Sequence, residues 1–496
     1  MKTFLTFFAP LVALLACTVN PDVQQPIAVN YTVSIDEANP RIAHVAASFS
    51  LADSFLFMAP GGADVAGRWS AFVHDLIVRR DDGSVIEVAT LDDARWQLNA
   101  PVGTDIQLAY DIHLEHDQHN WGGGYDGIAY LADRGVFYTG RTMFIMNGEE
   151  RTDLQLRFEL PEGWQLTTPW QENGDSGTEF IALNHTDLAN AMLFAGTHEE
   201  ITFDRSGFEL VLALGSESII SQQDEFRGLA EGVLDYYIEL MGGIPRPAPD
   251  NPLEKVVVVI NSSDVTDGEV VGNCISILME KDGDDFAQTI SRFIFAHEFF
   301  HLWNGKSFAP SGEDCEWFKE GFTNYYTLKA LRQVDFLADE TYLDFMANFF
   351  YGRYSSDTGL GELSMSQGEE KHDHWGLIYG GGMFVSIAQD MIIRTATNNE
   401  RNIDDLMRQL FDTYGGTNQT YTIEELQSIM SELSGSDQSE FFNAHVLGAD
   451  EIPVADYLAM AGLEAEVDNG QLRLSQPDQL TAQQTEMMKG MFGELD

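Results

Sequence analysis

Two histidines four residues apart, with a glutamate beside the first, are the clearest chemical feature of this 496-residue sequence. They lie in the stretch His297-Glu298-Phe299-Phe300-His301. The residues before it repeat apolar side chains at helical spacing after Asp284, which can cap a helix N-terminus. Because both imidazoles would face the same way on such a helix, the motif predicts a zinc site in which Glu298 is the general base.

A catalytic zinc ion takes three protein ligands and leaves one position open for water. Eighteen residues separate His301 from Glu320, whose segment has helix-like composition and could pack its carboxylate against the first helix. Asn324 comes one helical turn later and could accept a hydrogen bond from the free ring N–H of a ligand histidine. The sequence therefore predicts one Zn²⁺ per chain, held by His297, His301 and Glu320. An ordinary amphipathic helix with two histidines would be the alternative for the first motif alone.

Around these residues the sequence resembles the glycyl aminopeptidase family of gluzincin zinc metallopeptidases. The resemblance rests on residues 297–304, Lys306, Pro310 and residues 317–326. It implies a multidomain α and β fold in which an N-terminal all-β domain precedes a thermolysin-like α+β catalytic domain. The C-terminal part of that domain would be mostly helical, and the substrate would be a peptide or protein.

The same resemblance suggests further site residues. Tyr379 precedes a small-residue turn and would donate its hydroxyl to the developing oxyanion, with a buried aromatic side chain as the alternative. In gluzincins the edge strand before the zinc helix binds extended peptide. That makes Ile275, Ser276 and Ile277 tentative substrate-binding residues, with an ordinary inner strand as the alternative.

One departure from the family concerns the substrate's amino terminus. Relatives usually hold the free α-ammonium with a Gly-Gly-Leu-Glu-His-like motif before the zinc helix. In the comparable stretch Gly272 stands where the glutamate would be, although Glu269 lies close by and could substitute. Because an ammonium without a partner is costly to bury, loss of that carboxylate would weaken selection for free N-termini.

Three functions therefore stay open. Strict glycyl aminopeptidase activity competes with an endopeptidase or oligopeptidase activity that uses the same residues. A non-catalytic, zinc-stabilised envelope protein is less favoured, because a structural zinc site does not need Glu298.

The chain begins with a pattern typical of an export signal. Met1-Lys2 precedes an apolar run from Phe4 to Ala16, which is too short to span a bilayer as a helix. The ending Leu14-Leu15-Ala16-Cys17 resembles a bacterial lipobox, in which the cysteine becomes lipidated. We expect an exported protein of the periplasm or cell envelope, anchored at Cys17, with a plain secretory signal as the alternative.

Patterning predicts four segments: a signal peptide over 1–16, a β domain over 27–205, the zinc peptidase domain over 206–465 and a polar tail over 466–496. Short alternating runs indicate the β domain, and apolar residues at helical spacing dominate after Glu320. The PDZ domain common in the family does not fit after His445.

The charge composition limits the classes of partner that the protein could bind. The formal net charge is -52, from 79 acidic and 27 basic residues, which argues against nucleic acid because phosphate binding needs the opposite sign. Besides Cys17 the chain has Cys274 and Cys315, which could pair in an oxidising compartment or remain free and buried. The sequence does not indicate the oligomeric state.

Overall fold

The structure is a computed structural model that describes residues 28–495, apart from residues 123, 125, 126, 149, 150, 250–252, 254 and 282. The signal segment 1–16 and Cys17 lie outside the described residues, so export and lipid anchoring stay predictions. Strands dominate up to residue 280, and helices dominate after residue 284. This order confirms the predicted fold class, an N-terminal β region followed by a mixed α and β catalytic region with a mostly helical C-terminal part.

Within the described residues, the largest sheet has seven strands and forms the body of the N-terminal region. From edge to edge its strands are Gln171–Glu172, Glu179–Asn184, Thr152–Glu159, Asn30–Ile35, Ile42–Ser50, Asp105–His113 and Val73–Arg80. Asn30–Ile35 pairs in parallel with Thr152–Glu159, whereas the other pairs are antiparallel. Buried Tyr31, Val33 and Ile35 alternate with more exposed neighbours, because successive side chains of a strand point to opposite faces.

Two smaller sheets complete the N-terminal region. One contains Gln165–Thr167, Met192–Gly196, Gly135–Thr139 and Tyr130–Ala132, and the other contains Phe55–Phe57, Arg95–Leu98 and Val88–Thr90. Short helical segments between strands are Arg68–Phe72, His116–Gln118, Gly140–Met143 and His185–Asn190. The three sheets share one apolar core, to which Leu56, Val136 and Leu156 contribute buried side chains.

A five-stranded sheet begins the catalytic region. Its order is Glu199–Arg205, Phe208–Leu214, Lys255–Ser263, Cys274–Glu280 and Asp267–Val271. Lys255–Ser263 runs parallel to both neighbours, and the last strand, here called the edge strand, is antiparallel to Cys274–Glu280. The apolar run 256–260 is fully buried, as expected for a parallel strand covered on both faces.

Three segments of the helical part carry the candidate site. We call Asp285–Phe300 the histidine helix, Glu316–Gln333 the glutamate helix and the π-helical turn Gly376–Gly380 the tyrosine turn. The histidine helix begins as the sequence predicts, because the Asp284 side chain accepts a hydrogen bond from the backbone N–H of Ala287.

The other helical segments and short strands surround these three. The helical segments are Glu217–Ile220, Gln223–Met241, Glu313–Cys315, Asp339–Asp344, Phe345–Tyr351, Gly352–Ser356, Gly368–Glu370, Gly381–Thr397, Ile403–Tyr414, Ile423–Ser434, Ser439–His445, Val454–Met460 and Ala482–Phe492. The short strands are Ala309–Pro310, Thr420–Tyr421, Glu464–Asp468 and Gln471–Ser475. Ile403–Tyr414 and Ile423–Ser434 both begin with a capping box, from Asn402 and Thr422.

Two predicted segment limits differ from the structure. The limit at residue 205 falls at a hairpin, because Glu199–Arg205 pairs with Phe208–Leu214 in the sheet of the catalytic region. The supposed polar tail contains the strand Gln471–Ser475 and the helix Ala482–Phe492. The polar, Gln-rich composition of this segment gave no indication of a packed helix. Met491 and Phe492 of the helix are buried, and the Met491 carbonyl accepts a hydrogen bond from the Tyr342 hydroxyl at 2.8 Å.

Burial also settles the state of the two described cysteines. Cys274 and Cys315 are buried and unpaired, and burial raises the pKa of the Cys274 thiol to about 12.

Within the described residues, one helical stretch, Gly376–Thr397, is long and apolar enough to cross a membrane. Because 89% of an apolar 18-residue part of this stretch is buried inside the protein, it has the surroundings of a core helix.

The N-terminal core contains a histidine that burial keeps neutral. His116 is fully buried, stacks on Phe72 at 3.6 Å between ring centroids and has no hydrogen-bond partner on either ring nitrogen within the described residues. Burial lowers its pKa from 6.5 to about 3. As the pH falls, His116 is therefore protonated in the unfolded chain before it is protonated in the folded protein.

We expect acid to destabilise the protein partly through His116. Its contribution to stability is fully present above about pH 6.5 and is lost below that, by up to about 1.4 kcal/mol per pH unit, until the folded pKa is reached. His116→Phe should retain more stability than the wild type on going from about pH 7 to about pH 5. Urea unfolding of both proteins at the two pH values measures this. Equal losses would mean that His116 is not buried in the neutral form.

Candidate metal centre and active site

Three buried donor atoms converge between the histidine helix and the glutamate helix. Nε2 of His297 lies 3.1 Å from Nε2 of His301, and Oε2 of Glu320 lies 3.3 Å from each of them. Ligands of a tetrahedral zinc ion, at bond lengths of about 2.0–2.1 Å, lie about 3.3 Å from one another. The three atoms therefore have the mutual spacing of three ligands of one small metal ion, and the residues present fit such an ion.

Hydrogen bonding fixes which ring nitrogen of His301 faces the glutamate. The carbonyl oxygen of Asn304 can only accept, so Nδ1 of His301 donates to it at 2.9 Å and Nε2 points toward Glu320. Nδ1 of His297 has no hydrogen-bond partner within the part of the chain that the structure describes. The Nε2 lone pair of a neutral His301 ring would thus face the Glu320 carboxylate, which requires a proton or a cation between them.

The charges around Glu320 reflect this requirement. Burial by itself disfavours the charged forms of His301 and Glu320. The negative charge of Glu320 nevertheless raises the pKa of His301 above its ordinary value. Burial is likewise outweighed at Glu320, where His301 and Lys319 hold the pKa of the carboxyl well below its usual range. The carboxylate is therefore ionised and available as a metal ligand.

Two lysines occupy the other oxygen of the same carboxylate. Nζ of Lys319 lies 3.1 Å and Nζ of Lys371 3.5 Å from Oε1 of Glu320. Both lysines also pair with Glu316, at 3.3 Å and 2.6 Å. One oxygen of the Glu320 carboxylate thus faces the histidines, and the other faces the two lysines. The sequence did not predict this orientation, because Lys371 lies about fifty residues from Glu320 in the chain.

The tyrosine turn lies against the glutamate helix because two glycines meet there. A Cβ on Gly321 would lie 2.2 Å from the backbone carbon of Gly382, and one on Gly382 would lie 2.0 Å from the Trp317 carbonyl oxygen. Asn324 adds a hydrogen bond, donated from Nδ2 to the backbone carbonyl of Tyr379 at 3.2 Å. This differs from its predicted role, because Asn324 supports the tyrosine turn and the His301 ring is held by the Asn304 carbonyl.

Tyr379 and Glu298 line the same cleft as the three donor atoms, a cavity of about 920 Å³. The Tyr379 ring stacks on Trp375 with 5.2 Å between centroids. Burial, followed by the nearby charges of Glu320 and Glu298, raises the pKa of its phenol, so the hydroxyl stays protonated and can donate a hydrogen bond. Glu298 is 9% exposed and follows His297 on the histidine helix.

The prediction that residues 275–277 belong to the edge strand of the sheet is wrong. Ile275, Ser276 and Ile277 are fully buried in an inner strand, which pairs with Lys255–Ser263 on one side and with the edge strand on the other. The edge strand itself lines the cleft, and a Cβ on its Gly268 would lie 3.5 Å from Cγ of Glu298. A continuous apolar run in the sequence does not distinguish an inner from an edge strand, because the pairing partners are not known.

Glu269 lies on this edge strand and lines the cleft, as the sequence analysis allowed. Its Oε2 accepts a hydrogen bond from Nη2 of Arg141 at 2.7 Å. Arg141 belongs to the N-terminal region, so this pair joins the two parts of the chain at the cleft. Sequence reasoning had no signal for Arg141, which lies far from the zinc motif along the chain.

Comparison with known protein families places this site in context. A family model described as the peptidase M61 N-terminal domain matches residues 30–196, and one described as M61 glycyl aminopeptidase matches residues 291–380. The matches, 167 and 90 residues long, together cover just over half of the 496 residues. The chain belongs to the M61 peptidase family. The predicted resemblance to glycyl aminopeptidases is confirmed, and the protein is a peptidase that acts on peptide substrates.

The M61 peptidase also resembles a solved structure. The crystal structure of an aminopeptidase N family protein from Idiomarina loihiensis matches over 88% of this chain and 79% of that chain, with 16% sequence identity and a TM-score of 0.72. At this identity the likeness concerns the fold alone. No curated protein matches the chain.

The contact between Gly321 and Gly382 generates a prediction for the M61 peptidase. A methyl group at Gly382 meets backbone and cannot be accommodated by rotating a side chain, so Gly382→Ala should separate the two helices. We expect the free energy of unfolding to fall by about 1–3 kcal/mol, together with weaker metal retention. Gly352→Ala is the matched control, because a Cβ there meets nothing within 4 Å. Chemical denaturation and metal analysis of both variants measure the difference. Equal behaviour would show that the close approach is not needed.

Proposed function

We propose that this M61 peptidase is a zinc-dependent enzyme that hydrolyses peptide bonds with Glu298 as general base. One observation carries the proposal: the donor atoms of His297, His301 and Glu320 lie 3.1–3.3 Å apart, in the same cleft as Glu298 and Tyr379. When bound, zinc would polarise the substrate carbonyl and make a water molecule acidic enough to attack near neutral pH. The two histidines and the glutamate would be its ligands.

The remaining chemistry belongs to side chains of the chain itself. Glu298 takes a proton from the attacking water and passes it to the leaving amine. Tyr379 donates a hydrogen bond to the carbonyl oxygen as negative charge develops there, and its raised pKa keeps the hydroxyl in the donating form. Burial of the donor cluster excludes bulk water, which strengthens these interactions.

A non-catalytic zinc protein is the weaker alternative. A structural zinc site uses four protein ligands and needs neither a general base nor a hydroxyl donor. Here three donors converge, and Glu298 and Tyr379 line the cleft beside them. The two catalytic forms, an aminopeptidase and an oligopeptidase, share all of these residues and differ in how the substrate's amino terminus is recognised.

Ligand and base can be separated by two substitutions. The purified protein should contain about one zinc ion per chain. Glu320→Ala should lose the metal, because two neutral histidines alone hold it weakly, whereas Glu298→Gln should keep the metal and lose activity. Metal analysis and hydrolysis of a peptide library test both. Loss of zinc from Glu298→Gln, or undiminished hydrolysis by that variant, would contradict the assignment.

The role of Tyr379 can be tested through kinetics. Because the oxyanion exists only near the transition state, Tyr379→Phe should lower kcat by about 100-fold or more and change KM little. Tyr236→Phe is a suitable control, since it removes a buried hydroxyl without a partner in the described chain and away from the cleft. An effect confined to KM would make Tyr379 a substrate-binding residue instead.

A further inference from the structure

The acidic side chains of the cleft are largely committed to partners within the protein. Glu320 faces the two histidines and the lysines, and Glu316 pairs with the same lysines. Glu298 is assigned the role of base, and Asp267 accepts a hydrogen bond from the backbone N–H of Gly268. Among the acidic residues that line the cleft, this leaves Glu269 as the candidate to hold a substrate's α-ammonium.

Glu269 is itself paired with Arg141. The Nη2 to Oε2 distance is 2.7 Å, and the two side chains are only 22% and 33% exposed. The guanidinium is also held by the carbonyl oxygen of Gly127, which accepts from Nη2 at 3.1 Å and from Nε at 3.3 Å. Because these hydrogen bonds fix the guanidinium beside the carboxylate, the pair presents little net charge to a substrate.

Gly127 shows how closely this arrangement is packed. A Cβ at that position would lie 2.0 Å from Oε2 of Glu269 and 2.2 Å from Nη2 of Arg141. The backbone of the N-terminal region therefore contacts the ion pair directly. An ammonium that replaced Arg141 would have to displace a partly buried, hydrogen-bonded guanidinium.

Two basic side chains of the cleft have no carboxylate partner among the described residues. Lys306 and Arg353 both line it, and neither lies within 4.0 Å of a carboxylate oxygen of any described residue. The Arg353 guanidinium is placed over the Phe349 ring, 3.8 Å from its centroid. A cleft that contains these two cations and a neutralised Glu269 is poorly suited to attract an α-ammonium.

We propose that Arg141 neutralises Glu269 and thereby releases the enzyme from any need for a free substrate amino terminus, so that peptides with a blocked N-terminus and internal peptide bonds are substrates. The inference rests on the proposed zinc peptidase function. Arg141 acts in it as a specificity residue contributed by the N-terminal region, and not as a catalytic residue. The peptidase is therefore an oligopeptidase in its substrate class.

The test compares one peptide sequence with a free and with an acetylated amino terminus. The zinc-loaded wild type should cleave both with kcat/KM values within about tenfold of each other. Arg141→Met should expose the Glu269 carboxylate and favour the free peptide by about tenfold or more, the scale of one hydrogen bond to a charged group. In the double variant Arg141→Met/Glu269→Gln that gain should disappear.

Controls keep the outcomes distinct. Zinc content and thermal unfolding establish that Arg141→Met is folded, and Arg141→Lys, which keeps the positive charge, should behave like the wild type. If zinc-loaded wild type cleaves neither peptide, the proposed function fails. If it cleaves only the free peptide and Glu269→Gln removes that selectivity, the proposed function stands and this inference is wrong. A folded Arg141→Met that shows no shift in preference also overturns it.

Discussion

The placement of one ionised carboxylate between two buried imidazoles is the constraint on which the rest of this structure depends. Oε2 of Glu320 lies 3.3 Å from Nε2 of His297 and of His301. Such a cluster is costly unless opposite charge accompanies it, because burial removes the water that would otherwise solvate the carboxylate. The protein supplies that charge on one side through Lys319 and Lys371, and leaves the other side facing the histidines, where a metal ion fits.

Helix packing brings the participating groups together. The glutamate helix approaches the start of Gly381–Thr397 so closely that only glycine is accommodated at Gly321 and Gly382. This contact places the tyrosine turn, and with it Tyr379, in the same cleft as His297, His301 and Glu320, and Asn324 donates a hydrogen bond to the backbone of that turn. The aromatic side chains packed around the turn, such as Trp375, then limit how far the phenol can move.

The N-terminal region does more than support the catalytic region. Arg141 reaches from a short helix after the strand Gly135–Thr139 to the edge strand of the five-stranded sheet and pairs with Glu269. In a chain with 79 acidic and 27 basic residues, the basic side chains at the cleft are few and specifically placed. Those beside Glu320 and Glu269 compensate particular carboxylates, whereas Lys306 and Arg353 line the cleft without a carboxylate partner among the described residues.

The sequence by itself determined the elements that depend on local patterns. Spacing of four residues put His297 and His301 on one face of a helix, alternation predicted the β region, and apolar periodicity predicted the mostly helical part after Glu320. Family motifs around residues 297–326 identified the peptidase family. These inferences succeed because helix and strand periodicity, capping and short motifs are properties of neighbouring residues.

Only the tertiary structure decided the features that join distant residues. It made Cys274–Glu280 an inner strand and Asp267–Val271 the edge, turned the supposed polar tail into a packed helix, and paired Arg141 with Glu269 and Lys371 with Glu320. In the structure the His301 ring donates a hydrogen bond to the Asn304 carbonyl, whereas Asn324 supports the tyrosine turn. Strand order and charge pairing depend on which surfaces meet across the fold, and no local pattern in a single sequence specifies that.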